Sequence, residues 1–239
     1  MKNPKILALL TWFVLIISCK NEVEKPKVTY NKLPKTVAKQ IDTTKITVTD
    51  LPIQFEGTKY LIFPIGNLNT LDGGISKYES SSRIEEQSFT ISNNMENEIT
   101  GYLQNLKFQK FNSDDFTTLT DKQILLESVT YLKDYSNKTK QQILVYLLAD
   151  NDSNNDGKLD TNDIKSLYLS DISGSNFTKI SVDFQEIINW KIIESQNRLY
   201  LKSIEDSNKN GRFDKTDKLH YNFVNLSDKD WQSTEYNPI

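Results

Sequence analysis

The chain has 239 residues, of which 37% are apolar and 26% charged, with a formal net charge of −3. That composition suits one large or two small soluble domains, and the absence of a long basic run argues against a nucleic-acid partner. A single Cys and a single His exclude an intrachain disulfide and a thiolate zinc cluster, while 11 Tyr, 11 Phe and three Trp favour a β-rich core.

The first element in chain order is a secretory leader over residues 1–18. Lys2 and Lys5 form a positive start, Ile6 to Ile17 is an apolar run broken only by Thr11, and the small residue Ser18 precedes Cys19. The run is too short for a membrane-spanning helix, which needs about 20 apolar residues. Ile16-Ile17-Ser18-Cys19 resembles the lipobox of bacterial lipoproteins, and the sole Cys of the chain stands at the position that family acylates. The resemblance implies cleavage before Cys19, lipid attachment to Cys19 and firm membrane anchoring, since each buried CH₂ contributes ~0.8 kcal/mol. Removal of the leader leaves 27 basic against 32 acidic residues, a net charge of −5. Lys20 in place of Asp resembles the sorting pattern of outer-membrane rather than inner-membrane lipoproteins, and Asn21-Glu22-Val23-Glu24 resembles a surface-export signal.

Residues 19–45 are polar, contain Pro26 and Pro34, and lack a sustained apolar period, so they read as a flexible lipidated tether. The domain is expected over residues 46–239. "ITVTDL" alternates, and "KYLIFPIG" (Lys59 to Gly66) is a strand ended by Pro and Gly. Residues 79–98 are mostly polar, with one short strand near Phe89, and "ITGYLQNLKFQKF" (Ile99 to Phe111) alternates again.

A repeat follows. "KQILLES" (Lys122 to Ser128) corresponds to "NWKIIES" (Asn189 to Ser195), and "ILVYLLADNDSNNDGKLDTND" (Ile143 to Asp163) to "NRLYLKSIEDSNKNGRFDKTD" (Asn197 to Asp217). The copies differ in their connectors, VTYLKDYSNKTKQQ in the first and Gln196-Asn197 in the second. Each module reads strand, turn, strand, acidic loop, strand. In "KLHYNFVNL", Leu219, Tyr221 and Phe223 form one face and Lys218, His220 and Asn222 a polar one.

The acidic loops span residues 152–163 and 206–217. Loop one places Asp152, Asn154, Asp156, Gly157, Lys158, Asp160 and Asp163 at positions 1, 3, 5, 6, 7, 9 and 12; loop two places Asp206, Asn208, Asn210, Gly211, Arg212, Asp214 and Asp217 at the same positions. Both match the D-x-[DN]-x-[DN]-G pattern of calcium loops. Ca²⁺ takes 6–8 oxygens at about 2.3–2.6 Å, and alternate short side chains of a tight loop bring oxygens to one centre. Gly at position 6 permits the bend. Lys158 and Arg212 at position 7 serve through their carbonyls, and Leu159 and Phe213 anchor the loops. Converging carboxylates need a counter-ion, since two like charges 4 Å apart repel by roughly 4 kcal/mol at an intermediate dielectric. Asp at position 12, where EF-hands carry a bidentate Glu, departs from that family. Weak structural sites are expected, the first tighter than the second because it has more carboxylates.

The flanks of loop two read as strands; "KQQILVYLLA" before loop one also fits a buried helix, so a helical EF-hand protein stands as an alternative. "SLYLSDISGSNFTKIS" (Ser166 to Ser181) and, in degenerate form, "NLKFQKFNSDDFTTLTD" (Asn105 to Asp121) resemble the strand–Asp–Gly–turn–strand phrase of TolB-type propeller repeats. With the lipobox and inserted calcium loops, residues 99–226 are similar to Gram-negative lipoproteins. The fold expected is therefore all-β, with antiparallel sheets in β-propeller-like blades or a related stacked sheet; the chain has room for about three or four blades, so the ring is incomplete or the sheets pack differently. The function expected is a lipid-anchored, calcium-stabilised binding or scaffold module that meets an envelope protein or a glycan. A calcium-dependent hydrolase acting on glycan or peptide is the alternative. No catalytic motif appears, and His220 reads as a surface or half-buried strand residue.

Overall fold

A computed structural model of the chain describes residues 27–30, 45–69 and 90–239. The leader, Cys19, most of the tether and the strand expected near Phe89 lie outside the described residues. Among these residues the architecture is all-β and antiparallel, without a closed barrel.

The first sheet contains β1 (Lys45–Thr49), β2 (Tyr60–Asn69), β4 (Glu98–Lys110), β6 (Leu125–Tyr131), β7 (Ile143–Ala149), β8 (Lys165–Asp171) and β9 (Thr178–Lys179), paired in that order. The short strands β3 (Ser92–Asn94) and β5 (Phe116–Thr118) pair with β4. The second sheet is β10 (Gln185–Ile193), β11 (Arg198–Glu205), β12 (Lys218–Asn225) and β13 (Ser233–Glu235). A four-stranded unit of the kind a propeller blade requires is thus found once. The preceding strands run on as one continuous sheet, and separate blades about an axis are not seen among the described residues.

The repeated module is present in both copies as strand, connector, strand, loop, strand. In the first copy the connector folds as α1 (Lys133–Thr139), which packs Tyr135 inward and ends at Lys140 in the left-handed region (φ 66). "ILVYLLA" is β7, not a helix. Its residues are apolar throughout because both faces are covered, which is why periodicity left it open. Leu144, Tyr146 and Leu148 point into the concave side of the first sheet with Ile62, Leu106, Phe108, Leu126 and Val129. Ile143 and Val145 point to the second sheet and meet Leu199, Leu201, Val224 and Trp231. Each such side chain, fully buried, contributes about 1.5–3 kcal/mol.

The second strand does not stop at Pro64 and Gly66. It continues to Asn69, with a register shift at Ile65/Gly66 absorbing the change, and the Pro64 carbonyl accepts from Asp50 N at 3.0 Å. The first sheet curls far enough to set the β8–β9 turn against β4. Gly174 there has φ +79, and a Cβ built on it would lie 2.4 Å from Phe108 Cε2.

The polar and apolar faces of β12 are the reverse of the expectation. His220, Asn222 and Val224 face inward, paired with Ser203, Leu201 and Leu199, whereas Leu219 is exposed and Tyr221 and Phe223 are half-buried. The outer aromatics pack on one another and on Tyr200 and Tyr236, with the Arg198 guanidinium 4.1 Å from the Phe223 ring. On the outer face the Tyr200 hydroxyl donates to Gln196 Oε1 at 2.6 Å, while the inner face meets the core between the sheets through Leu199, Leu201 and Val224.

Asp150 closes the end of β7 over β8. Its carboxylate accepts from Lys179 Nζ (2.7 Å), Tyr168 Oη (2.8 Å) and Ser166 Oγ (3.0 Å). Burial acts to raise its pKa, but the Lys179 charge and these hydrogen bonds outweigh it, and the net shift is downward. A depressed carboxylate contributes stability that is present above the unfolded-state pKa, near ~4, and is lost as pH falls through the lower folded value. Asp150→Asn is therefore expected to flatten the acid limb of stability, read from urea unfolding at a series of pH values below about 5.

Candidate metal centre

Both acidic loops join adjacent antiparallel strands, β7 to β8 and β11 to β12. The helical EF-hand alternative is therefore set aside: the flanks of both loops are strands.

Within the loops the geometry repeats position by position. Asp152 accepts from Asp156 N (3.1 Å) and Gly157 N (2.8 Å); Asp206 accepts from Asn210 N (3.0 Å) and Gly211 N (2.7 Å). Asn154 and Asn208 each accept from the position-5 N–H at 2.9 Å. Asp156 accepts from Lys158 N and Asn210 from Arg212 N. Asp160 accepts from Asn162 N and Asp214 from Thr216 N, both at 2.8 Å. At position 12, Asp163 and Asp217 accept from the position-9 N–H at 2.9 and 2.8 Å and from Ser153 N and Ser207 N at position 2. The backbone matches as well. Position 4 is left-handed in both (Asn155 φ 58, Lys209 φ 57), as is the glycine at position 6 (Gly157 φ 86, Gly211 φ 83). Only Gly adopts that conformation without penalty, which accounts for its place in both copies.

Every side chain chosen from the sequence at positions 1, 3, 5, 9 and 12 is thus folded back over its own loop. A carboxylate offers about four acceptor sites, so one or two N–H donors leave capacity for a cation. The donor set of Asp and Asn oxygens with the carbonyls of Lys158 and Arg212 has the hard character Ca²⁺ takes. Carboxylates do not do this alone: among the described residues no three His, Cys, Asp or Glu side chains are grouped to hold a metal between them. The convergence of carboxylates expected in each loop is not seen, and a cation there would have to draw on the Asn amides and carbonyl oxygens as well.

The two loops differ in burial. Asp163 is 0% exposed, while Asp217 is partly exposed. Burial pushes the Asp163 carboxyl up, the N–H groups of Asp160, Asn154 and Ser153 pull it down, the Asp152 charge raises it, and the net is upward. In loop two, Asp214 is held low by its hydrogen bonds from Thr216. Leu159 and Phe213, expected to anchor the loops, are half-buried; the buried apolar residue beside loop one is Ile164.

Residues outside the pattern also hold the loops in shape. Ser153 and Ser207 at position 2 accept from Ile164 N (2.9 Å) and Lys218 N (3.0 Å), closing each loop across its base. Their repetition in the two copies was the available sequence signal. Lys27–Tyr30, inside the stretch read as tether, docks on both loops, with Val28 2% exposed.

His220 is buried at 6% exposure, with Nε2 2.8 Å from Glu205 and Nδ1 2.9 Å from Glu235. The carboxylates occupy both ring nitrogens, so His220 ties β11, β12 and β13 together and has no hydroxyl partner to activate. Trp190 is half-buried on the inner side, against the cluster between the sheets.

No family model, curated protein or solved structure matches the chain. Among the described residues no helix is long and apolar enough to cross a membrane.

Proposed function

We propose that the protein is a lipid-anchored envelope protein whose all-β domain is a calcium-stabilised binding or scaffold module. The observation that supports the calcium part is the repetition of one loop geometry, donor by donor and φ by φ, in two loops that share the calcium-loop pattern. Asp152, Asn154, Asp156, Asp160 and Asp163 hold one ion with the Lys158 carbonyl; Asp206, Asn208, Asn210, Asp214 and Asp217 hold the other with the Arg212 carbonyl. The ion neutralises the carboxylates and fixes the loops that join β7 to β8 and β11 to β12.

The anchor rests on the lipobox ending at Cys19, and outer-membrane placement on Lys20. The partner is an envelope protein or a glycan. No observation favours the hydrolase reading: the sole His is held between two glutamates, and the clustered carboxylates belong to the loops. Millimolar Ca²⁺ is expected to raise the melting temperature and a chelator to lower it; for a site saturated 100-fold above its Kd, the stabilisation is about 2.7 kcal/mol. A melting curve indifferent to both reagents would remove the calcium reading.

A further inference from the structure

The four residues Lys27–Tyr30 lie across both loops and bond to each. Lys27 N and Val28 N donate to Gly211 O at 2.7 and 3.4 Å, and Thr29 N donates to Ser153 O at 2.9 Å. Thr29 Oγ1 donates to Asn154 O (2.9 Å), Ser153 Oγ to Lys27 O (2.7 Å) and Asn155 Nδ2 to Thr29 O (3.1 Å). The ends are fixed too. Lys27 Nζ meets Glu186 at 3.2 Å, and the Tyr30 hydroxyl reaches Asp206 O at 3.4 Å. The Lys209 ammonium sits 5.8 Å from the Tyr30 ring, and burial beside Asp206 pushes the Tyr30 pKa up to about 12.

We infer that Lys27–Tyr30 is a strap whose docking is coupled to cation binding, so that the two calcium loops act as one unit and calcium sets the length of the membrane tether. The inference rests on the calcium reading of the loops. The strap takes the carbonyls of positions 2 and 3 in loop one and of positions 1 and 6 in loop two. The cation takes the position-7 carbonyls, those of Lys158 and Arg212, so strap and ion do not compete for an oxygen. Both require the same folded loop, with left-handed backbone at positions 4 and 6. Whichever binds first orders the loop for the other, and linkage makes the effect reciprocal. Because one strap spans both loops, order imposed by an ion in one reaches the other.

The consequence for an anchored protein is mechanical. With the strap docked, the chain from Cys19 to Lys27 reaches at most about 28 Å, which holds the loop-bearing end of the domain close to the lipid. With it released, the chain from Cys19 to Lys45 reaches up to about 90 Å. Calcium would then switch the domain between a close and an extended stance.

The test uses the mature chain with Cys19→Ser, which keeps it soluble, and reads amide exchange by NMR beside calorimetric calcium titration. The amides of Val28 and Thr29 are expected to exchange about tenfold faster after chelation, within the 5–150-fold range usual for coupled sites, while Leu144 and Tyr146 in β7 stay protected. Val28→Asp is expected to weaken calcium binding about tenfold, and the milder Thr29→Val about threefold, a second variant that leaves Val28 packed. Calcium bound at both loops with Val28 and Thr29 exchange unchanged on chelation, and affinity unchanged in both variants, would overturn the coupling and leave the calcium reading standing. No calcium binding at either loop would remove that reading and the coupling with it.

Discussion

Asp163→Ala is expected to destabilise the calcium-free domain by about 3 kcal/mol, whereas the equivalent Asp217→Ala costs about 1 kcal/mol. The two residues occupy the same loop position and differ in burial. Asp163 is fully inaccessible and accepts from Ser153 N, Asn154 N and Asp160 N. Removing it strands several buried donors, each costing roughly 1–3 kcal/mol when left unpaired. Asp217 accepts from Ser207 N and Asp214 N in a partly exposed place, where water replaces it. Urea unfolding in the presence of a chelator measures both losses without the ion. Equal losses would mean that the burial of loop one has no energetic consequence. The comparison also bears on the order of affinities, since loop one adds a fourth carboxylate, Asp156, where loop two has Asn210.

Gly174→Ala is expected to cost about 3 kcal/mol, from left-handed backbone (~1–2 kcal/mol) together with overpacking of a filled core (~1–3 kcal/mol). The new methyl would meet the Phe108 ring at 2.4 to 2.9 Å. Phe108 is 1% exposed and held in the concave core of the first sheet, so it has little room to yield. Gly57→Ala is the control: its φ is also +79, but nothing lies within 4 Å of the added Cβ, and it should lose only the backbone part, about 1 kcal/mol. If the two variants unfold at the same urea concentration, the β8–β9 turn does not rest on Phe108, and the curl of the sheet is not as described.

These two residues mark what was and was not legible in the sequence. The loops were legible because their chemistry is local: Asp, Asn and Gly at fixed spacing form the same turns wherever flanking strands hold the ends. The repeated module was legible for the same reason, apart from α1, which is hidden in a connector where Leu132 and Tyr135 anchor the helix to the core. The contact between Gly174 and Phe108 was not legible, because it depends on how far a sheet curls across non-adjacent strands. The arrangement of sheets was lost on the same ground. The phrase Ser166 to Ser181 covers β8 and β9, and pairing order joins them to β7 and β6 in one continuous sheet.

The misread face of β12 has a different origin. Ranking Leu219, Tyr221 and Phe223 above Lys218, His220 and Asn222 by hydropathy ignores what the inner face must accommodate. There Ser203, Gln185 and Asn222 are buried polar residues, and Ser203 Oγ donates to Gln185 Oε1 at 2.7 Å. The strap left no trace at all. Its contacts are backbone and side-chain bonds to loops more than a hundred residues away, and Lys27-Val28-Thr29-Tyr30 carries no pattern that separates it from the surrounding tether.

Calorimetric titration of calcium into the mature chain and into Asp152→Ala and Asp206→Ala addresses the central claim most directly. The account predicts two ions for the unaltered chain and one for each variant, with dissociation constants of order 10⁻⁴–10⁻³ M as in other extracellular modules. Folded protein that takes up no calcium at millimolar concentration, or takes up the same amount after both substitutions, would contradict it.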